Sequence, residues 1–372
     1  MADGPGAPGL LGDHTKTPKD GRRIPAVETM HQDSETASKP SYFRGHHWGC
    51  VSLLVGTAGK FFAAPLWAEI HGNFLEESRS TRIVSMACGI TQTMAQQAYL
   101  VLDAFFAVGP VFQTAAATCG WVHILTRAKK NIVAYLPAPP PKSRRRGRRR
   151  KYGRKLKRMR LFDTWAKKFK RADTDVYGRR ETVRYLTVDL LWKPVRGMLR
   201  FFLIVSPRGP IILMTSDLTL DALVALELYC RRTTIERMFD AVKNILGGMR
   251  YHFWSKYLPP SSRRPTKATA PKPISSQPAK TQNTLAAIEK FLQIQLVVLG
   301  VLHLLACRFP RQIILNARCW LRTPCRKIPS EFVTRMALAN MVRMNLISFA
   351  KGWITIIIRT LTHNARRPRK VA

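Results

Sequence analysis

Between residues 218 and 250 apolar side chains recur at helical spacing, with Ile235, Met238, Phe239, Val242 and Leu246 on one face of a wheel. The stretch predicts a single helix packed on a core. Thr219 can cap its start, Asp221 falls in the first turn where the macrodipole favours negative charge, and Gly247-Gly248 supplies a left-handed stop. Upstream, short apolar runs alternate with helical patterns. Leu10 and Leu11 can begin a strand. Residues 45–56 and 61–71 read as strands, and 78–98 as a helix with Ile83, Met86, Ala87, Ile90 and Met94 in phase. Residues 99–102 form a short buried strand that ends at Asp103; a helix over 110–118 and a strand over 121–126 follow. After the prolines of 137–141, strands are expected at 182–192, 198–206 and 211–214. Residues 255–283, rich in Pro, Ser, Lys and Thr, read as a flexible linker. Residues 285–307 are strongly apolar but interrupted by Gln293, Gln295 and His303, which favours a buried helix over a membrane span. More helix is expected over 330–362, then a solvated basic end.

Charge adds a partner to this picture. The 372 residues carry 62 Lys and Arg against 22 Asp and Glu, a net charge of +40, which points to a polyanion, nucleic acid ahead of an anionic membrane surface. The hydrophobic fraction of 46% excludes a wholly disordered basic tail protein. Seven scattered cysteines without a C-x-x-C pair suggest reduced thiols in a cytosolic compartment rather than a disulfide frame or zinc site. The first forty residues are polar, without the apolar run of a signal peptide. One basic run stands out: Arg144, Arg145, Arg146, Arg148, Arg149, Arg150 and Lys151. Such a run is either a solvated loop, a targeting tract or a phosphate-binding segment that positions DNA without reading its sequence. His46-His47 reads as the polar face of a strand rather than a metal pair.

Chemistry concentrates on the helix of residues 218–250. Tyr229, Arg232, Glu236 and Lys243 fall along one narrow edge of the wheel. A carboxylate with an arginine one turn before it and a lysine two turns after it can hold a divalent metal with phosphates alongside. Spacing alone equally allows a solvated edge with an Arg–Glu pair, and a tyrosine that bridges core and water.

These four positions, at these offsets, resemble the Tyr-Arg-Glu-Lys signature of DDE transposases of bacterial insertion sequences. The resemblance implies an α/β, ribonuclease-H-like mixed sheet with flanking helices, interrupted by a basic, mainly β insertion and followed by a helical C-terminal region. The corresponding segments are 10–136 and 217–254 for the catalytic core, 137–216 for the insertion, 255–283 for the linker and 284–372 for the helical region. In that fold an acid on the first strand and one at the end of the fourth meet a third on a later helix. Asp13, Asp103 and Glu236 occupy those places. Asp217 rivals Asp103, but it lies close before the helix and fits a capping or lead-in role better. The resemblance further implies two Mg2+ (or Mn2+) ions, Asp103 bridging both and Asp13 and Glu236 holding one each. Tyr229, Arg232 and Lys243 would contact DNA phosphates. It implies metal-dependent cleavage and strand transfer on double-stranded DNA, element ends and target alike, by a homodimer in the bacterial cytoplasm at the nucleoid. The family usually carries a DNA-binding region ahead of the first catalytic strand, and here that strand opens the chain, as in a truncated copy. A non-enzymatic, basic DNA-binding remnant is the alternative.

Overall fold

Leu10 and Leu11 are fully buried, on opposite faces of a ten-residue strand, β1 (Gly9–Pro18). The two leucines therefore seed a much longer strand than the glycines and prolines before them suggest. The described residues of this computed structural model are 7–348, apart from 33–39, 58, 73–74, 119, 141–149, 158–161, 163–164, 254, 263–273 and 318–326. Along them the chain continues with β2 (Glu28–His31), β3 (Tyr42–Thr57), β4 (Lys60–Ile70), α1 (Arg79–Met94), β5 (Ala98–Leu102), α2 (Gly109–Thr118) and β6 (Val122–Arg127). Leaving the short β2 aside, this is the expected order of three strands, helix, strand, helix, strand. β1 pairs antiparallel with β3 and β3 with β4, whereas β1, β5 and β6 run parallel.

The strands β7 (Val133–Pro137), β8 (Tyr152–Lys157), β9 (Lys170–Val176), β10 (Arg179–Trp192), β11 (Gly197–Ser206) and β12 (Gly209–Thr215) extend the same sheet. β12 pairs antiparallel with β6, so one twelve-stranded sheet runs β2-β3-β1-β5-β6-β12-β11-β10-β7-β8, with β4 beside β3 and β9 beside β10. The fold is thus a large mixed α/β sheet with flanking helices. β8 and β9 were not legible because their exposed faces carry Lys, Arg and Asp rather than an apolar alternation.

Side chains alternate between two cores. On one face α1 and α2 cover Leu10, Leu100, Ile124, Leu203 and Met214; on the other Leu11, Val101, Leu125 and Leu213 meet the later helices. Those helices are α3 (Ala222–Arg231), α4 (Thr234–Asp240) and α5 (Ala279–Arg308), while α6 (Pro310–Asn316) and α7 (Glu331–Ser348) pack on each other around Ile313 and Val333. Helix α5 is long and apolar enough to cross a membrane by length and composition. Its polar interruptions have local work: Gln293 donates to the Ala68 carbonyl and Glu289 accepts from the Ile70 amide at 2.9 Å, which satisfies the open edge of β4. His303 bonds Glu331 on α7 at 3.1 Å.

The expected continuous helix of 218–250 is instead α3, α4 and a π turn (Ala241–Ile245). Two consecutive threonines explain the first break. Thr233 and Thr234 bond back to the carbonyls of Cys230 and Arg231, and the Ile235 amide bonds to Arg232 rather than one residue earlier. The cap also differs. Asp221, not Thr219, accepts the Leu223 and Val224 amides at 2.8 and 3.3 Å, while Thr219 donates its amide and hydroxyl to Asp217. Gly247 does take the left-handed conformation, at φ 69°.

Candidate active site

Three adjacent strands set the site. Leu11 pairs with Val101 and Leu102 with Thr126, in parallel register. Asp13 lies two residues beyond Leu11, Asp103 two beyond Val101 and Arg127 two beyond Leu125. With a period of two, all three point to the face that holds α3 and α4. Neighbouring strands lie about 4.8 Å apart, so the row from Asp13 to Arg127 spans about 10 Å. Asp103 stands just past β5, where its carboxylate accepts the Ala104 amide at 2.5 Å and its carbonyl accepts the Thr126 hydroxyl at 2.7 Å.

Glu236 reaches the row from α4 through Arg232. The guanidinium donates to Asp13 Oδ2 at 3.0 Å and to Glu236 Oε1 at 2.9 Å, with its own side chain only 12% exposed. Burial disfavours that charge, but Asp13, Asp103, Tyr229 and Glu236 together hold the Arg232 pKa above its ordinary value. Asp13 is pushed up to about 6, mainly by burial and further by the charges of Asp103 and Glu236, against the pull of Arg232. The three acids thus share one electrostatic site around one cation.

Of the other positions of the Tyr-Arg-Glu-Lys set, Tyr229 lies within electrostatic reach of the row and Lys243 meets β1 beyond it. Lys243 does not project freely: its ammonium donates to Thr15 Oγ1 at 2.6 Å and to the Lys16 carbonyl at 3.1 Å, tying the π turn to β1. Burial lowers its pKa. Tyr229 is buried, and its hydroxyl is pushed up to about 12 by that burial, with Arg232, Asp103 and Arg127 all within electrostatic reach. Asp217 is not part of the site. It is buried and accepts from Thr219 and from the Tyr99 hydroxyl at 2.6 Å, and these bonds keep its pKa low despite burial. Of the basic run, Arg150 and Lys151 are exposed and bond the carbonyls of Tyr152 and Arg196. Arg144, Arg145, Arg146, Arg148 and Arg149 lie outside the described residues.

Behind Asp13, on the opposite face of β1, sits a histidine cluster that sequence reading did not find. His14 Nε2 and His71 Nδ1 are 3.1 Å apart, and the His14 ring stacks on Phe106 at 5.2 Å and tilts against His47 at 4.5 Å. His71 meets Glu69 at 3.3 Å, and Glu69 pairs with Arg82 of α1. Burial first, then its neighbouring histidines, hold the His14 pKa well down, and the packed rings fix β1. His46 and His47 are buried rather than lining a polar face; His46 bonds the Tyr251 hydroxyl at 2.6 Å and the Pro25 carbonyl at 2.8 Å.

Could these acids hold a metal? Among the described residues no three His, Cys, Asp or Glu side chains are drawn together closely enough to ligate an ion as they stand. The donor set nevertheless fits a hard divalent cation in kind: carboxylate oxygens from three elements, two of which add to the burial that raises Asp13, with Arg232 as the present counter-charge.

Comparison with known proteins adds the following. The family model described as Transposase DDE domain matches residues 20–253. Among curated proteins none matches this chain. The cryo-EM structure of the piggyBac transposase synaptic complex with hairpin DNA is similar at 9% identity with a TM-score of 0.38. The match covers 90% of this chain and 52% of that one, so the chain spans about half the length of that relative, and nothing below is built on the likeness.

Proposed function

The chain belongs to the transposase DDE domain family, and on that premise we propose that it cleaves and rejoins DNA strands as an insertion-sequence transposase, with Asp13, Asp103 and Glu236 as its acidic set. The observation that carries the reading is the Arg232 bridge, which joins the acid of β1 to the acid of α4 beside the one that follows β5. Asp13, Asp103 and Glu236 would hold Mg2+ or Mn2+. The bound ions would activate the attacking oxygen and neutralise the leaving one.

The chain's own residues supply positioning. Arg232 presents a planar fork suited to a phosphate, and an incoming phosphodiester can replace the carboxylates it now engages. Lys243 fixes the π turn against β1, so Glu236 and Asp13 keep a common frame. Tyr229 offers a hydroxyl toward the same row. The exposed Arg150 and Lys151, with the rest of the basic run, suit a phosphate backbone. Double-stranded DNA, as element end and as target, is the partner, and a homodimer would serve two ends.

A nicking assay on supercoiled DNA with magnesium tests this. Wild type should nick, and Asp103→Asn and Glu236→Gln should lose nicking by about a thousandfold or more while still binding DNA. Binding without nicking in the wild type would instead identify a DNA-binding remnant.

A further inference from the structure

The parallel ladder between β1 and β5 ends at the pair Leu11–Val101, two residues short of Asp13 and Asp103. At the acids, therefore, backbone pairing no longer fixes the gap between these two strands. β1 runs on beside β3 as far as Pro18, and β5 gives way to the short 3-10 turn Ala104–Phe106. A pair of carboxylates that shares a metal site has to keep its geometry to within about 0.5 Å. Here the gap is closed from behind by rings. The His14 imidazole stacks on Phe106, with centroids 5.2 Å apart and planes 26° from parallel. Each ring is tied to one acid through the backbone. The His14 amide donates to Asp13 Oδ1 at 2.8 Å. The Phe106 amide donates to the Asp103 carbonyl at 3.0 Å, closing the turn whose first amide, that of Ala104, the Asp103 carboxylate accepts.

Both rings are held in turn. Phe106 is 1% exposed, in the core under α1 and α2. His14 Nε2 lies 3.1 Å from His71 Nδ1, and His71 Nε2 lies 3.3 Å from Glu69 Oε1. Arg82 of α1 grips Glu69 with two nitrogens. His47 closes on the His14 ring at 4.5 Å.

We propose that His14 is a positioning residue whose stack on Phe106 sets the separation of Asp13 and Asp103. It lies on the opposite face of β1 from the acids and works through the amide it gives to Asp13 and the turn that Phe106 closes on Asp103. The chain of His71, Glu69 and Arg82 ties its ring to α1. A side chain without a ring at either position leaves a void behind the acids, into which the strands can shift. The inference rests on the reading of these acids as a metal-holding set and deepens it.

The test uses the full-length chain without DNA and Mn2+ alone as the probe, with free Mn2+ followed by its electron paramagnetic resonance signal. Wild type is compared with His14→Gln, His14→Phe, Phe106→Leu and, as a control for lost packing, Phe112→Leu, a buried ring of α2 that meets Trp192 in the same core. His14→Gln keeps a polar group for His71 but has no ring, and Phe106→Leu removes the other ring. Each should raise the Mn2+ midpoint about tenfold to a hundredfold. His14→Phe keeps a ring on Phe106 and should recover most of the affinity. Phe112→Leu should lose stability in urea with a chelator present but keep the wild-type midpoint. In crystals of His14→Gln the Cα atoms of residues 13 and 103 should stand further apart than in wild type. The proposal is overturned if His14→Gln and Phe106→Leu bind Mn2+ no worse than Phe112→Leu. It is also overturned if His14→Phe is as weak as His14→Gln, because the His71 bond and not the stack would then carry the effect. A wild type that neither binds Mn2+ nor nicks DNA counts against the transposase reading instead; the separation in the His14→Gln crystals still decides on His14, and an unchanged separation overturns its role.

Discussion

Removing the Arg232 guanidinium by Arg232→Gln should expose how much of the site is held together by a single cation. Two ion pairs go. The Glu236 side is 56% exposed, so that half contributes no more than about 0.5 kcal/mol. The Asp13 side is different: its side chain is 20% exposed, and losing one partner of a buried pair costs about 3–5 kcal/mol when the remaining charge cannot escape. Asp13 can escape by taking up a proton. With its pKa already at about 6, protonation at pH 7.5 costs about 2 kcal/mol, which caps the penalty. The variant should therefore be about 2 kcal/mol less stable than wild type in urea unfolding at pH 7.5 with a chelator present. Adding millimolar magnesium should then recover more stability in the variant than in wild type, because the acids have lost their other counter-charge. A variant within about 0.5 kcal/mol of wild type without metal would refute the argument. So would a magnesium effect that is larger in wild type, since Arg232 could then not be standing in for a cation.

Other consequences are open to measurement. His46 is buried with its pKa lowered to about 4, chiefly by burial; a depressed histidine leaves stability intact above its unfolded value of 6.5 and removes it as pH falls toward 4. Wild type should lose about 3 kcal/mol over that window, and His46→Gln should flatten the loss in pH-dependent melts; an unchanged profile would show that His46 is not the titrating group. Asp221→Ala should cost about 1 kcal/mol as a lost helix cap, read by chemical denaturation, and a neutral result would contradict the capping geometry. A Cβ on Gly49 would stand 2.1 Å from His71 Cε1, so Gly49→Ala should cost about 1–3 kcal/mol and lower nicking by displacing the packing behind Asp13; wild-type stability would mean that His71 moves freely. Lys243→Met should keep the fold, because its aliphatic stem stays packed, yet reduce nicking by loosening Glu236 from β1; full activity would dismiss the tie to β1.

Strands with clean apolar runs, such as residues 99–102 and 198–206, were legible because burial on both faces leaves no polar alternation to misread. β1 was only half legible. Its buried leucines announce it, but the rest of the strand carries Asp13, His14, Thr15 and Lys16, polar residues placed there by the site and not by the sheet. The helix of 218–250 was legible in its apolar face and wrong in its continuity, since propensity does not reveal that two threonines bond backward.

The break in the helix has a consequence for the site. An unbroken α-helix would keep Tyr229, Arg232 and Glu236 on one straight edge, and a straight edge meets a twisted sheet at only one point. The tightened step at Arg232–Thr233 and the wider π turn at Ala241–Ile245 bend that edge instead. Arg232 can then reach Asp13 on β1 while Lys243, further along, bonds Thr15 two residues on in the same strand. The segment thus reaches β1 at two points, through Arg232 and through Lys243. That geometry asks for residues that weaken regular helix, and threonines at 233 and 234 provide them. Replacing both with alanine should straighten the segment and raise its helix content, while pulling Arg232 away from Asp13 and lowering nicking. If the double alanine variant nicks DNA as wild type does, the bend serves packing alone and the site tolerates a straight helix.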